Sequence, residues 1–382
     1  MSAVKPIIVN LQNNEELLKK IDPDAIKIIK RLVRFNYKAY LVGGCVRDLL
    51  LNREPKDFDI VTDAWPKRIR SLFHNSRIIG KRFQLVHVIF GDRIIEVSTF
   101  RQEDKSPPKI TKEGTIRKSE NRYGTEETDA FRRDLTINSL FLDPIKGQII
   151  DYTGGYNDLI EGKIRVIGNP VTRFNEDPVR ILRALRHSFR TGFAIQKDVI
   201  DAVSICKTNL PTVSGHRIFD ELKKDVQYGK FFDYFNFLKK FGVSQVLFPT
   251  VNFPEVDDNA LVLLKHLCTT KVNQSSELTV LIIFCALNNI NLRHLPPLNI
   301  LNSKLHETFK ICSPPRICLS RAFFLLTLVK RLSKLMLGKT KKKNFKVSED
   351  TAEAFKTLLE TLAPDMLQYF ANLNESHRYN SS

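Results

Sequence analysis

The sequence predicts an α+β head on a small mixed β-sheet, followed by an all-helical neck, body and tail. Two observations carry this. Between residues 39 and 100, short runs rich in β-branched and aromatic residues alternate with glycine and charged breaks, the pattern of strands. From Pro178 onward the apolar residues recur at helical spacing instead. At 382 residues the chain is also too long for one hydrophobic core.

Each element has a local reason. Asp22 can cap a helix, Pro23 suits its first turn, and Ile26, Ile29, Leu32 and Val33 follow at helical spacing. Residues 39–42 read as a buried strand halted by Gly43 and Gly44, with a helical turn over 46–51. A strand is expected over 57–61, a helix over 65–73, and strands over 83–90 and 93–99. Residues 102–128, with Pro107-Pro108 and many charges, read as a long mobile loop, either a passive insert or a substrate-handling one. Helices are expected over 179–190, 195–206, 215–226, 231–241, 260–268, 277–287, 321–335 and 350–373. The division that follows is an N-terminal helical segment (1–35), a head (36–160), a helical neck (161–228) and a helical body and tail (229–382).

Composition narrows the function. A chain 42% hydrophobic and 27% charged is neither collagen-like nor wholly disordered. Its net charge of +18 argues for a polyanionic partner, nucleic acid ahead of a membrane surface. Apolar runs such as 281–287 and 322–329 fall well short of the ~18 residues of a spanning helix. No secretory h-region or transit pattern opens the sequence, so a cytoplasmic location is expected. Cys45, Cys206, Cys268, Cys285, Cys312 and Cys318 lie mostly among apolar neighbours with no C-x-x-C, and read as reduced core thiols.

Three constellations carry chemistry. Gly43-Gly44-Cys45-Val46-Arg47-Asp48 precedes Asp57-Phe58-Asp59. Two glycines between strand and helix let backbone N–H groups approach a phosphate, and Arg47 adds a planar fork for it. Asp57 and Asp59, two apart on an expected strand, would share a face and could hold two Mg²⁺ ions against a triphosphate. Alone, a Gly-Gly is usually a turn and an Asp-x-Asp usually solvated; it is their succession that points to a site.

The second constellation is Arg132-Arg133-Asp134-Leu135-Thr136-Ile137-Asn138. It reads either as a charged strand edge or as a nucleotide clamp, with Arg133 on phosphate and Asp134 and Asn138 on ribose hydroxyls or the metal shell. Glu96, expected on a buried or half-buried sheet face, is a candidate third carboxylate, or else the partner of an arginine. In the third, Glu176-Asp177-Pro178-Val179-Arg180 opens a helix on which Arg180, Arg183, Arg186 and Arg190 share one face. Asp177 and Arg180 on adjacent turns could read the edge of a nucleobase.

Together these motifs resemble the class II nucleotidyltransferase family, which comprises tRNA CCA-adding enzymes and bacterial poly(A) polymerases. The resemblance runs from about residue 35 to 250. It implies a nucleotidyltransferase head in which Asp57 and Asp59 bind two Mg²⁺, Asp134 joins the active site, and Asp177 and Arg180 pair with the incoming base. Ile78-Ile79-Gly80-Lys81-Arg82-Phe83-Gln84-Leu85-Val86-His87-Val88 is similar to the segment that marks the poly(A) polymerase branch. The implied activity is template-independent addition of AMP from ATP to an RNA 3′ end, with RNA-decay proteins of unspecified identity as further partners. CCA addition to tRNA is the alternative enzyme, and a non-catalytic RNA-binding protein with a dead transferase head the alternative of another class. Residues 330–346 carry eight Lys or Arg and no acid. Lys330, Arg331, Lys341, Lys342 and Lys343 are accordingly expected to bind RNA, or to form a solvated basic helix end.

Overall fold

The computed structural model describes residues 4–11, 15–80, 84–102, 109–110, 116–117, 122–227, 231–251, 276–288, 290, 295–337 and scattered positions from 352 to 370. Contacts divide the chain into two compact units, Met1–Arg173 with Arg190–Ile200, and Phe174–Phe189 with Asp201–Ser382.

The first unit is built on an eight-stranded sheet. Its strands are β1 (Ile7–Asn10), β2 (Ala39–Val42), β3 (Asp59–Thr62), β4 (Ser76–Ile79), β5 (Leu85–Phe90), β6 (Arg93–Thr99), β7 (Phe141–Asp143) and β8 (Gln148–Asp151). The spatial order is β1-β8-β7-β2-β3-β6-β5-β4, mixed because β3 and β6 run parallel while the other pairs are antiparallel. The sheet is larger than the sequence suggests. β1 lies in the segment expected to be helical, yet Ile7 pairs with Asp151 and Asn10 with Gln148. Four residues are too few for a period to register, so only the partner strand reveals it.

Val42, Val61, Phe100, Ala130 and Phe141 form a buried cluster, with Tyr40, Ile150 and Tyr152 packed against it. Full burial of each larger apolar side chain stabilises by roughly 1.5–3 kcal/mol, which locks β2, β3 and β7 into one surface. Helix α1 (Pro23–Arg34) starts as expected, the Asp22 carboxylate accepting from the Asp24 N–H. Helices α2 (Gly44–Leu50) and α3 (Pro66–Leu72) follow β2 and β3.

The expected loop 102–128 is more structured at its described positions. Arg101–Gln102 pairs with Arg122–Tyr123, and Lys109–Ile110 with Ile116–Arg117. Helix α4 (Glu126–Phe131) begins inside it, closed by a reciprocal cap between Thr125 and Thr128.

The second unit is mainly helical. Its helices include α5 (Val179–Thr191), α6 (Gly215–Gln227), Phe231–Lys240, Ser276–Asn288, Leu298–Thr308 and α7 (Arg316–Met336). Leu298–Thr308 was not expected, because Asn299, Asn302, Ser303 and His306 dilute its apolar stripe. The start of α7 precedes the expected residue 321 and follows Pro315 at the N-cap. The expected helix 260–268 lies outside the described residues, as does most of 350–373. The chain beyond the head sheet is not purely helical, since Lys163–Ile164 pairs in parallel with Ala194–Ile195. No described helix is long and apolar enough to cross a membrane. Cys45, Cys206, Cys285, Cys312 and Cys318 are buried free thiols, and Cys268 lies outside the described residues.

Candidate active site

Sheet register assembles the centre of the first unit. β2 pairs antiparallel with β3, Leu41 opposite Ile60, so the end of β2 meets the start of β3. Gly43 follows β2 with φ +83°, a left-handed conformation that glycine adopts without strain. A Cβ built there would stand 3.5 Å from the Arg133 Nη1 and 4.0 Å from the Asp59 Oδ2. A cation and an anion thus flank the same bare backbone. Gly44 opens α2, with the Arg47 guanidinium 3.6 Å from where its Cβ would be.

The carboxylates gather differently from the sequence expectation. β3 starts at Asp59, so Asp57 sits in the preceding coil and strand alternation does not align the two. Asp57 nevertheless acts electrostatically on Asp59. Glu96 is the parallel-register partner of Asp59. It is not buried: Ile95 and Val97 face inward, leaving its side chain 51% exposed beside the His87 Nε2 at 3.1 Å. Asp59 touches solvent but is crowded by protein on its other sides. Desolvation first, then Glu96, then Asp57 push its pKa up to about 6, against the pull of Arg133.

One residue that the motif reading missed organises the cations. Asp129, fully buried on α4, accepts from the Arg133 Nε and Nη2 at 3.2 and 3.0 Å. It also accepts from the Arg132 Nε at 2.9 Å and from the Arg101 backbone N–H at 3.0 Å. Burial alone would raise its pKa, but Arg133 and Arg132 outweigh that and hold it below the usual carboxylate range. The signal was present in the sequence as an acid three and four residues before an arginine pair.

The rest of the second motif braces this arrangement. The Arg47 Nη1 donates to the Asn138 Oδ1 at 2.7 Å, and the Arg133 Nη1 to the Asn138 carbonyl at 3.3 Å. Asp134 is buried, its carboxylate accepting the Leu135 N–H at 3.0 Å and its carbonyl the Ile167 N–H at 3.1 Å. The Arg173 Nη2 ties down the carbonyls of Arg132 and Arg133 at 3.0 and 3.1 Å. Gly155 packs directly beneath the Thr136 carbonyl, 2.0 Å from where a Cβ would stand.

In the second unit, Asp177 accepts from the Arg217 Nη2 at 2.7 Å, and the Arg180 Nη1 donates to Glu176 at 3.1 Å. Arg183 approaches Glu221 at 3.8 Å. Arg186, expected with Arg180 and Arg183 to bind the nucleotide, is instead buried and ion-paired with Glu221. Its guanidinium holds α5 to α6 instead of facing solvent. Lys330, expected on RNA, donates to the carbonyls of Leu295 and Pro296. Arg331 is exposed on α7, while Lys341, Lys342 and Lys343 lie outside the described residues.

Residues 39–165, which contain Gly43, Asp57, Asp59, Glu96 and Arg133, match the family described as the poly A polymerase head domain. Residues 192–253 match the probable RNA and SrmB-binding site of polymerase A. The poly(A) polymerase I of Salmonella typhi is 43% identical over 251 residues, covering 64% of this chain and 54% of that protein. A CCA-adding enzyme of Bacillus pumilus is 39% identical over 201 residues, covering 52% and 48%. The chain spans about half the length of the curated relatives it matches. The head sheet and the helices after it also share a fold with a Bacillus stearothermophilus CCA-adding enzyme solved with CTP. The TM-score is 0.62 at 22% identity, covering 93% of this chain and 83% of that one.

Among the described residues no group of three His, Cys, Asp or Glu closes into a metal-ligand cluster. Asp57 acts electrostatically on Asp59, and Arg133 and the bare Gly43 backbone lie beside Asp59, so the two carboxylates could serve as oxygen donors. Mg²⁺ is commonly held by one or two carboxylates while substrate phosphates and water complete its shell, so this donor set fits it.

Proposed function

We propose that this chain is a template-independent nucleotidyltransferase that adds AMP from ATP to an RNA 3′ end and releases pyrophosphate. The observation that carries the reading is the crowding of Asp57, Asp59 and Glu96 beside the bare Gly43 backbone and the Arg133 guanidinium. An aspartate that burial first, and then neighbouring acids, push up to about 6 suits a cation-binding task better than a structural one. The 43% identity to a poly(A) polymerase I supports the choice of ATP and RNA. Under this reading the chain works in the cytoplasm.

The side chains divide the task. Gly43 and Gly44 let a triphosphate approach the backbone, and Arg133 and Arg47, oriented by Asp129, Asp48 and Asn138, are proposed to neutralise its charge. Asp57 and Asp59 are the proposed holders of Mg²⁺, with Glu96 adding negative charge beside them. Mg²⁺ held there would supply Lewis acidity to the attacking 3′-hydroxyl and positive charge to the departing pyrophosphate. The remaining work is alignment of attacking and leaving oxygens, which rigid anchoring of the arginines favours. Asp177 and Arg180 are proposed to read the adenine edge, exchanging their present partners Arg217 and Glu176 for the base.

CCA addition is the second reading, favoured by the identity to a CCA-adding enzyme. One assay separates them: ATP or CTP offered with a generic RNA and with a tRNA lacking its terminus. Extended A-tails on the generic RNA support the first reading. CTP incorporation that stops after two residues on tRNA supports the second. Strand binding without Mg²⁺-dependent turnover of either nucleotide would leave only a binding protein.

A further inference from the structure

Trp65 is the one tryptophan in the sequence, and 65% of its surface stays in water. Its backbone is fixed, the Trp65 carbonyl accepting the N–H groups of Arg68 and Ile69 at 2.8 and 2.9 Å as α3 begins. The indole stands over Tyr123, ring centroids 5.4 Å apart and planes 32° from parallel. Tyr123 is itself anchored by pairing with Arg101, and the next residue, Gly124, donates to the Phe100 carbonyl at 2.8 Å. Two aromatic rings on hydrogen-bonded backbone thus leave most of an indole facing solvent. Covering Tyr123 alone would not need so large a ring.

The surroundings are cationic and lead towards the candidate active site. Tyr123, Arg132 and Arg133 all lie within electrostatic reach of Arg101, and Arg133 flanks Gly43 beside Asp59. Lys67, Arg68 and Arg70 are exposed along α3, whose first turn carries no acid. Among the described residues Asp63 is an exposed acid close to Trp65 in sequence, and it accepts the Lys38 N–H at 2.9 Å. Aromatic faces interleaved with guanidinium groups are the composition that single-stranded nucleic acid engages, bases on rings and phosphates on cations.

We propose that Trp65 and Tyr123 form a stacking platform for a base of single-stranded RNA, with Arg101 and Arg132 meeting its phosphates on the way to the transfer site. The approach to that site rests on the transferase reading; the strand contact itself does not. The sole tryptophan makes the test direct. The full chain in EDTA without nucleotide is titrated with a single-stranded A-rich RNA oligonucleotide, following indole emission and, separately, the anisotropy of a labelled strand. Quenching that saturates with binding is expected. Trp65→Ala should weaken anisotropy-detected binding about 5- to 150-fold, the range for loss of one stacked base, and Trp65→Phe should retain most of it. Circular dichroism confirms that each variant folds. Emission unchanged by RNA, or Trp65→Ala affinity equal to wild type, would each overturn the platform. Because neither ATP nor Mg²⁺ is present, a chain that stacks RNA but transfers nothing sinks the transferase reading alone. One that transfers while Trp65→Ala binds normally sinks the platform alone.

Discussion

Asp59 and Glu96 are register partners across the parallel β3–β6 pair, and Glu96 is the largest charge raising Asp59. Removing that charge while keeping the shape tests the relationship. In metal-free protein, Glu96→Gln should bring the Asp59 pKa down from about 6 towards the ordinary carboxylate value, read by NMR titration of the side-chain carboxyl. An unchanged midpoint would mean that burial alone sets it.

The same shift makes a stability prediction with a definite sign. Because the folded-state pKa of Asp59 lies above its unfolded value, its contribution is present below the unfolded pKa and lost as pH rises through about 6. Asp59→Asn has no such titration. In EDTA the variant should therefore gain Tm relative to wild type between pH 4 and pH 8, while losing nucleotide transfer. A Tm difference that is flat across that range would contradict the electrostatic account.

Asp129 should behave in the opposite sense. Its pKa is depressed, so its contribution is present above the unfolded carboxylate value and disappears as pH falls through the folded one. Asp129→Ala strands Arg132 and Arg133, and loss of one partner from such a buried set typically costs about 3–5 kcal/mol. Urea unfolding measures this. Asp129→Asn, which keeps the shape, should fold better yet leave Arg133 loosely held, seen as a raised KM for ATP.

Much of this was legible in the chain, and the gaps have physical causes. The Gly43-Gly44 turn and the helical entry at Asp22 follow from local rules that the structure satisfies, whereas Asp57 falls outside β3, which starts only at Asp59. β1 was not legible, because a four-residue strand depends on β8, more than a hundred residues away. Glu96 was misplaced because strand phase, not residue type, decides which face is buried. Arg186 was read from helix spacing, whereas its environment comes from Glu221 on another helix.

Gly155 tests the packing beneath the second motif. A methyl group there would collide with the Thr136 carbonyl, and overpacking of this kind costs about 1–3 kcal/mol. Gly155→Ala should lower the urea midpoint and, by displacing Thr136 to Asn138, disturb the Arg47 hydrogen bond and weaken ATP binding. Wild-type stability in this variant would mean that the turn yields freely.

The central claim is that Asp57 and Asp59 hold a divalent cation. Mn²⁺ binding measured by electron paramagnetic resonance, on the full chain with ATP absent and present, tests it most directly. The account predicts that wild-type protein depletes the free-ion signal, more so with ATP, and that the Asp57→Ala, Asp59→Ala double variant, folded by circular dichroism, adds nothing to the depletion that ATP causes alone. Equal depletion by both proteins, or none by wild type beyond what ATP causes alone, would contradict it.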